Sequence, residues 1–220
     1  MIKLSKRLEA ISSLVPVNSK VIDVGCDHAL LDIYLYQNKI SNKIIASDIN
    51  KNALNNAKEN IKRYKLTNQI ETRLGNGLDT LDEKDNIDTL IISGMGAHTI
   101  TDILKKNYPK LKNINTIIIQ SNTKLLFLRS KMPKLNYKID NELIVIDNKK
   151  IYIIIKFIKG KQKYTKKELY FGPILLKNNP KLFQEYKKLE FEKLNMILKL
   201  LPKNKILARY KIKKEIKLFK

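Results

Sequence analysis

Residues 21–31 have the sequence Val-Ile-Asp-Val-Gly-Cys-Asp-His-Ala-Leu-Leu. An apolar run typical of a β-strand stops at Gly25, and after a short polar segment the apolar spacing becomes helical. A strand, a tight turn and a helix in this order form the unit at which open α/β sheets bind their ligands. We therefore expect a ligand to bind next to Gly25.

The turn residues indicate the charge of that ligand. A dinucleotide site needs Gly-x-Gly-x-x-Gly, because the backbone must approach a diphosphate at the start of a helix. In this chain Asp27 and Leu30 occupy the second and third glycine positions. A carboxylate at position 27 repels a diphosphate but attracts a sulfonium or ammonium group. With Asp23 the pattern Asp-x-Gly-x-Asp resembles the first motif of class I S-adenosylmethionine (SAM)-dependent methyltransferases, although a buried strand and a plain tight turn would give the same pattern.

Composition describes an ordinary globular domain of 220 residues, with 43% hydrophobic and 30% charged residues. No apolar run approaches the roughly 20 residues that cross a bilayer, and residues 1–9 show no signal-type apolar core. Cys26 is the single cysteine, which excludes an intrachain disulfide framework and is typical of a reducing cytoplasm. We expect a cytoplasmic monomer that binds neither a membrane nor a metal.

The formal net charge of +23 is unevenly distributed. Residues 161–220 contain 18 Lys or Arg and 5 Asp or Glu. The difference, 18 − 5 = +13, is just over half of the net charge of the whole chain. An AT-rich genome also enriches lysine, but it does not explain this placement. A concentrated positive field favours a polyanion, and nucleic acid is the interpretation that we favour.

Strand-like and helical segments alternate through the first 160 residues. They predict a mostly parallel sheet that finishes with an antiparallel hairpin, which is the architecture of class I methyltransferases. Asp147, Asn148 and Lys149 form the predicted hairpin turn. The predicted strands cover 21–24, 42–48, 70–74, 87–93, 115–120, 137–146 and 150–157, and the predicted helices cover 4–14, 29–38, 50–65, 97–107 and 123–134.

Residues 161–220 are predicted to form a second, helical domain after a polar link at 160–165. Asn179 and Pro180 indicate a helix start with Pro180 at the first helical position. An apolar stripe along that helix predicts coiled-coil packing, Pro202 ends the helix, and a basic helix follows at about 204–218. We expect the two helices to pair as an antiparallel hairpin. The stripe consists of Phe191, Leu194, Leu198 and Leu201.

Polar and glycine residues follow three further predicted strands. Asp48 lies close to the roughly 20-residue offset from Gly25 at which an acid reaches ribose hydroxyls, and a helix N-cap is its alternative role. Asn76 can hydrogen-bond an adenine ring, or it simply belongs to a Gly-Asn-Gly turn. Gly94 and Gly96 allow a ligand to approach the backbone closely.

Five motifs in a fixed order resemble the bacterial tRNA (adenine-22-N1)-methyltransferase family, TrmK. The resemblance implies a class I methyltransferase domain with SAM as the donor and tRNA as the substrate, and a C-terminal helical coiled-coil domain that helps to hold the tRNA. The chain departs from the family pattern at Asn76 (usually Asp), Ser121 (usually Pro) and Asp48 (more often Glu). The motifs are Leu4-Ser5-Lys6-Arg7-Leu8, Asp23-x-Gly25-x-Asp27-His28-Ala29, Gly75-Asn76-Gly77-Leu78, Gly94-Met95-Gly96 and Gln120-Ser121-Asn122.

The strand ends and the resemblance together give three sets of candidate site residues. The cofactor set is Asp23, Gly25, Asp27, Asp48, Ile49, Asn76, Gly77, Ser93, Gly94 and Met95. The catalytic set, which we expect to line an adenine pocket, is Asp27, His28, Gln120 and Asn122, with His28 either stabilising the product charge or packing as a structural residue. The RNA-binding set is Lys6, Arg7, Lys187, Lys188, Arg209 and Lys213, where an ordinary solvated helix face is the alternative for Lys6 and Arg7.

The predicted reaction needs no general base, because adenine N1 carries an in-plane lone pair that attacks a sulfonium methyl directly. The fourth strand accordingly ends in Ser93-Gly94-Met95-Gly96 and not in the Asp/Asn-Pro-Pro-aromatic tetrad of N6-amino methyltransferases. Since N1 lies on the Watson–Crick edge, the target base must first leave its pairing. The alternatives are a methyltransferase for another RNA base or a small molecule, and a non-catalytic RNA-binding protein with a degenerate core. Asp27 argues against a nicotinamide-dependent oxidoreductase.

Overall fold

The computed structural model of the chain describes residues 2–219. The chain forms two compact units that meet between Lys163 and Tyr164, where the sequence predicts a boundary after residue 160.

The first unit contains a seven-stranded sheet with the strand order β3-β2-β1-β4-β5-β7-β6. The five strands β1 to β5 run parallel, and β7 pairs antiparallel with both β5 and β6. The predicted Rossmann-like sheet with a final antiparallel hairpin is therefore confirmed. The strands are β1 (Ser19–Val24), β2 (Ser41–Asp48), β3 (Ile70–Leu74), β4 (Thr89–Met95), β5 (Thr116–Ser121), β6 (Tyr137–Asp147) and β7 (Lys150–Lys159).

The parallel strands alternate with helices, and their central residues form the core. β5 is buried along its whole length, as a strand covered on both faces must be. On α3 the predicted inward residues Leu54, Ala57 and Ile61 are all buried. The helices of this unit are α1 (Lys6–Ser12), α2 (Leu30–Gln37), α3 (Lys51–Arg63), α4 (Ala97–Lys106) and α5 (Leu125–Lys131).

In this unit one alternative role and one helix boundary considered in the sequence analysis are wrong. Asp48 is not a helix N-cap, because the Asn50 side chain caps α3 by accepting hydrogen bonds from the backbone N–H groups of Asn52 and Ala53. The helix expected at 123–134 ends at Lys131, and a 3₁₀ turn continues through Met132–Leu135. Pro133 explains that end, since it has no N–H to continue the α-helical pattern.

The hairpin between β6 and β7 turns at Asn148 and Lys149, which have φ angles of 47° and 64°. Two consecutive residues with positive φ are typical of the type I′ turn that suits a twisted hairpin. Behind the hairpin, Arg129 Nε donates to Glu142 Oε1 over 2.8 Å, and neither side chain is exposed to solvent. This ion pair joins α5 to β6 in the interior.

The second unit is helical and contains α6 (Lys166–Phe171), α7 (Pro173–Asn178), α8 (Lys181–Leu200) and α9 (Ile206–Ile216). The sequence analysis missed the first two of these helices. A capping box starts α6, because Thr165 and Glu168 each accept a hydrogen bond from the other's backbone N–H. Pro180 is the N-cap of α8 and not its first helical residue, which corrects the predicted start by one position.

α8 and α9 form the predicted antiparallel hairpin. Close to the connection, Arg209 Nη1 donates to the backbone oxygens of Leu198 and Leu201 over 2.9 and 2.5 Å. At the far end of α9 the Phe219 ring lies 5.4 Å from the ring of Phe191 on α8, so α9 runs back along α8. Among the helices formed by residues 2–219, none is both long and apolar enough to cross a membrane.

Candidate active site

Gly25 forms the turn that follows β1, with a φ of +82°. Its N–H donates to the Ser47 carbonyl of β2 over 2.8 Å. A Cβ atom at this position would lie 2.5 Å from Cε of Met95, at the end of β4. The φ angle favours glycine, whereas the flexible end of the Met95 side chain could move aside for a Cβ. The turn brings the carboxyl ends of β1, β2 and β4 together.

Asp23, two residues before this turn, is a buried carboxyl group with 5% relative exposure. Burial, and secondarily the charge of Asp48, raise the pKa of Asp23 to about 7, while Arg7 acts in the opposite direction. Burial and the neighbouring acids Asp32 and Asp23 also raise the pKa of the Cys26 thiol, which keeps it protonated. A buried acidic cluster of this kind favours a cation at its exposed side.

Asp48, at the end of β2, is held in front of the turn. One carboxylate oxygen accepts from the Asn50 N–H over 2.8 Å and the other from the Asp27 N–H over 3.3 Å. Each oxygen keeps a further lone pair. The next residue, Ile49, is 68% exposed and offers an apolar surface beside the carboxylate.

Asn76 lies in the loop that follows β3, and its side chain is exposed. Within the described part of the chain, its amide makes no hydrogen bond and has no N-capping contact. Gly75 N–H ties the loop to the Asp48 carbonyl over 3.0 Å, and Lys110 Nζ donates to the carbonyls of Leu78 and Leu81 over 2.8 Å each. The loop is thus anchored on both sides of an amide that stays available for a ligand.

A polar network joins the ends of β4 and β5. Arg7 Nη1 donates to Ser93 Oγ over 2.6 Å and to Gln120 Oε1 over 3.1 Å. The same Gln120 oxygen accepts from the Gly94 N–H over 3.1 Å. Gln120 Nε2 then donates to Asn122 Oδ1 over 3.0 Å, and Asn122 Nδ2 donates to the Gly94 carbonyl over 2.7 Å.

Ser121 stands where the family pattern has proline, and its hydroxyl replaces some of the missing stiffness. Ser121 Oγ donates to the carbonyl of Thr123 over 2.9 Å and lies 3.3 Å from the carbonyl oxygen of Met95. The Thr123 N–H in turn donates to Ser121 Oγ over 3.4 Å. These contacts hold the Gln120–Asn122 segment against the end of β4.

Asp27 and His28 lie on the exposed side of the turn, and Asp27 has a φ of +49°. Their side chains are 70% and 50% exposed, and His28 Nε2 lies 3.6 Å from Asp27 Oδ1. The His28 carbonyl accepts from Asn60 Nδ2 over 3.0 Å, which fixes its backbone. Asp27 is therefore free to meet a ligand, and both roles considered for His28 stay open.

The structure changes the interpretation of Arg7. The sequence predicts a surface contact to RNA, but the guanidinium group is half-buried, bonded to Ser93 and Gln120, and 5.6 Å from the centre of the Tyr152 ring. Sequence reasoning missed this placement because Arg7 is separated from Gln120 by 113 residues. Lys6, in contrast, is exposed as predicted.

This arrangement fits SAM. Asp23 and Asp27 supply the negative charge that a sulfonium and an ammonium group require, Asp48 has lone pairs for two ribose hydroxyls, and Asn76 has a free amide for adenine. Among residues 2–219, no group of three or more His, Cys, Asp or Glu side chains is placed to hold a metal ion.

Residues 21–220 match the model of the tRNA (adenine(22)-N(1))-methyltransferase family, TrmK. The chain belongs to this family. The predicted resemblance to TrmK and the predicted SAM-dependent methyltransferase class are thereby confirmed.

Individual TrmK relatives agree with this assignment. The chain is 30% identical over 154 residues to the tRNA (adenine(22)-N(1))-methyltransferase of Bacillus subtilis, an alignment that covers 70% of this chain and 64% of the relative. It superimposes on M. capricolum TrmK bound to S-adenosyl-homocysteine with a TM-score of 0.88 and 34% identity, covering 98% and 96% of the two chains. Streptococcus pneumoniae Sp1610 in complex with SAM gives a TM-score of 0.92 and 30% identity, covering 99% and 98%. These complexes confirm SAM as the predicted cofactor.

The four candidate RNA-binding residues of the TrmK helical unit divide into two kinds. Lys188 and Lys213 are exposed. Lys187 Nζ donates to Asn179 Oδ1 over 3.0 Å and lies 5.0 Å from the centre of the Phe183 ring. Arg209 stabilises the end of α8 through the two carbonyls described above. Lys188 and Lys213 are therefore the better candidates for phosphate contacts.

Proposed function

We propose that this chain transfers a methyl group from SAM to N1 of adenine 22 in tRNA. The match of residues 21–220 to the TrmK family model is the observation that carries the proposal. The acids and amides gathered at the carboxyl edge of the sheet support it, because they suit a cationic donor and a purine acceptor.

The cofactor is assigned to the ends of β1 to β4. Asp23 and Asp27 attract the positively charged end of SAM, Asp48 accepts from the ribose hydroxyls, and Asn76 hydrogen-bonds the adenine ring beside Ile49. The backbone also lines the cofactor site closely, at Gly25, Gly77, Ser93, Gly94 and Met95. When it is bound there, SAM supplies an electrophilic methyl group on sulfonium.

The target adenine is assigned to the exposed side chains of Asp27 and Asn122, with Gln120 buried behind Asn122 and hydrogen-bonded to it. N1 needs no deprotonation, so these residues act by holding the base in line with the donor. Orientation of two bound reactants supplies several kcal/mol of rate acceleration without an acid or a base. His28 lies beside Asp27 and is exposed enough to meet the product charge.

The direct test is incubation of purified tRNA with the protein and methyl-labelled SAM, followed by nucleoside mass spectrometry and primer extension. We expect label in N1-methyladenosine and a new extension stop at adenine 22. Label in another nucleoside, or a stop elsewhere in tRNA, would favour a different RNA-base methyltransferase. SAM binding without any transfer would favour a non-catalytic RNA-binding protein.

We assign binding of the tRNA backbone to the basic helical unit, in which Lys188 and Lys213 contact phosphate groups. Replacing both with glutamine is expected to weaken tRNA binding at low salt and to make the slope of log K against log salt less steep by about two, because each lost phosphate contact releases about one counterion fewer. Binding is measured by fluorescence anisotropy at several salt concentrations. The matched control replaces Lys58 and Lys62, two exposed lysines of α3. An equal change in both double variants would contradict specific contacts on the helical unit.

Asp23 is expected to make both SAM affinity and stability depend on pH. Its pKa of about 7 lies above the usual 3.8, so from about pH 4 to 7 the folded state binds more protons than the unfolded state. The Asp23 contribution to the free energy of unfolding therefore falls as pH rises through this range and is constant above it. SAM binding should instead strengthen by up to about tenfold between pH 6 and 8, as the carboxylate ionises.

Asp23→Asn separates these two effects. At pH 8 the variant should unfold at higher urea concentration than the original protein, while its SAM affinity is lower and no longer varies with pH. Calorimetric titration and urea denaturation at pH 6 and 8 measure both quantities. If the variant kept the original pH dependence of SAM binding, Asp23 would not be the titrating group.

We place the enzyme in the cytoplasm, where tRNA is found, and expect it to act as a monomer. Sedimentation of the protein with and without tRNA tests the second expectation.

A further inference from the structure

Gly94 dictates how the Gln120 side chain is oriented. The Gly94 N–H and Arg7 Nη1 are both obligate donors, and both lie 3.1 Å from Gln120 Oε1. An amide nitrogen in that place would face these two donors, with the Ser93 hydroxyl oxygen, 3.4 Å away, as a weak acceptor. The oxygen of Gln120 must therefore point to Gly94 and Arg7, and its NH₂ group must point to Asn122.

The orientation of Asn122 follows from both of its neighbours. Its oxygen accepts from Gln120 Nε2 over 3.0 Å, and its nitrogen donates to the Gly94 carbonyl, an obligate acceptor, over 2.7 Å. The chain of hydrogen bonds thus starts and ends on Gly94. A flipped Asn122 would place two donors together at one contact and two acceptors together at the other.

The two amides differ in what they still offer to a ligand. Gln120 is 1% exposed and its oxygen is already shared by Arg7 and Gly94. Asn122 is exposed. After its two internal hydrogen bonds, the Asn122 amide keeps one N–H and one oxygen lone pair. Asn122 is therefore the member of the network that can meet a base.

We propose that Asn122 recognises the N6 and N7 atoms of the target adenine and that Arg7 is a positioning residue, which acts through Gln120. The inference rests on the proposed function. Adenine donates from N6 and accepts at N7, which matches the oxygen and the N–H of one asparagine amide. This contact leaves N1 free to attack the methyl group.

The same fixed polarity selects against guanine. Guanine presents acceptors at both O6 and N7, so O6 would face the Asn122 oxygen and both would lack a donor. Asn122 cannot flip to relieve this without breaking its bonds to Gln120 and Gly94. The network therefore selects adenine by excluding guanine as well as by binding adenine.

The test uses tRNA in which adenine 22 is replaced by 7-deazaadenine, which lacks the N7 acceptor. For each protein variant, kcat/KM for normal tRNA is divided by kcat/KM for deaza tRNA. Because the deaza base changes the intrinsic reactivity of N1 equally for all variants, comparison of these ratios isolates the protein contact. We expect the ratio to fall by about tenfold from the original protein to Asn122→Ala, as for one hydrogen bond whose donor is otherwise left unpaired.

Asn68→Ala is the matched control, because Asn68 is an exposed asparagine outside the site. It should keep the original ratio. Thermal unfolding of each variant shows whether it is folded at the assay temperature. An unchanged ratio in folded Asn122→Ala would overturn the inference.

Arg7→Met distinguishes positioning from phosphate binding. If Arg7 acts through Gln120, kcat falls, the deaza ratio falls toward that of Asn122→Ala, and the salt slope of tRNA binding stays the same. If Arg7 instead contacts phosphate, the ratio is unchanged and the salt slope becomes less steep by about one. Formation of N1-methyladenosine by the original protein separates failure of this inference from failure of the proposed function.

Discussion

Asp48→Ala is expected to weaken SAM binding by about a hundredfold. A carboxylate that accepts from two ribose hydroxyls makes two charge-assisted hydrogen bonds, each worth about 1.5–3 kcal/mol. The loss is partly offset, because the charge of Asp48 contributes to the raised pKa of Asp23 and its removal favours the ionised form of that residue. Calorimetric titration with SAM measures the net effect.

Asp48→Asn separates hydrogen bonding from charge. It keeps one acceptor in place, so its affinity should lie between those of the original protein and Asp48→Ala. Asp102→Ala removes an exposed carboxylate of α4 outside the site and should bind SAM normally. Equal losses in both Asp48 variants would show that charge alone matters, and normal affinity in Asp48→Ala would reject its assignment to the cofactor.

Glu142→Leu is expected to lower the free energy of unfolding by about 3–5 kcal/mol. The change removes the carboxylate that accepts from Arg129 Nε over 2.8 Å in the interior, and breaking a buried ion pair by removing one of its members costs about this much. Urea denaturation measures the loss.

The double variant Arg129→Met with Glu142→Leu gives the sharper result. It replaces both charged groups with apolar side chains, so much of the lost stability should return. If the double variant lost as much stability as Arg129→Met and Glu142→Leu lose when their separate losses are added, the ion pair would not explain the effect.

Local sequence patterns predicted the sheet and the turn after β1 well. The run ending at Gly25 is distinctive because an apolar strand pattern stops at a residue whose φ of +82° favours glycine. The missed helix α6 also had a local signal, the capping box formed by Thr165 and Glu168. No comparable local signal distinguishes Asn50 from Asp48 as the N-cap of α3, since both residue types cap helices well.

The sequence predicted only those site residues whose role depends on a single strand and the loop after it. Asp23, Asp48 and Asn76 each follow a pattern that lies within one strand and its loop. The Arg7 contact is different, because it depends on the three-dimensional positions of β4 and β5. Its partners Ser93 and Gln120 are 86 and 113 residues away, and no periodicity or spacing connects residues so far apart.

The distant partners of Arg7 also have a consequence during protein synthesis. The ribosome adds Arg7 long before Gln120, and Asp147, whose carboxylate accepts from the Arg7 N–H over 3.4 Å, comes 140 residues later. A growing chain therefore cannot complete the Arg7–Gln120–Asn122 network, for which we propose a role in base selection, until most of this unit has emerged from the exit tunnel. While it is still on the ribosome and surrounded by RNA, such an incomplete chain would be unable to hold the Gln120 and Asn122 amides in their fixed orientations.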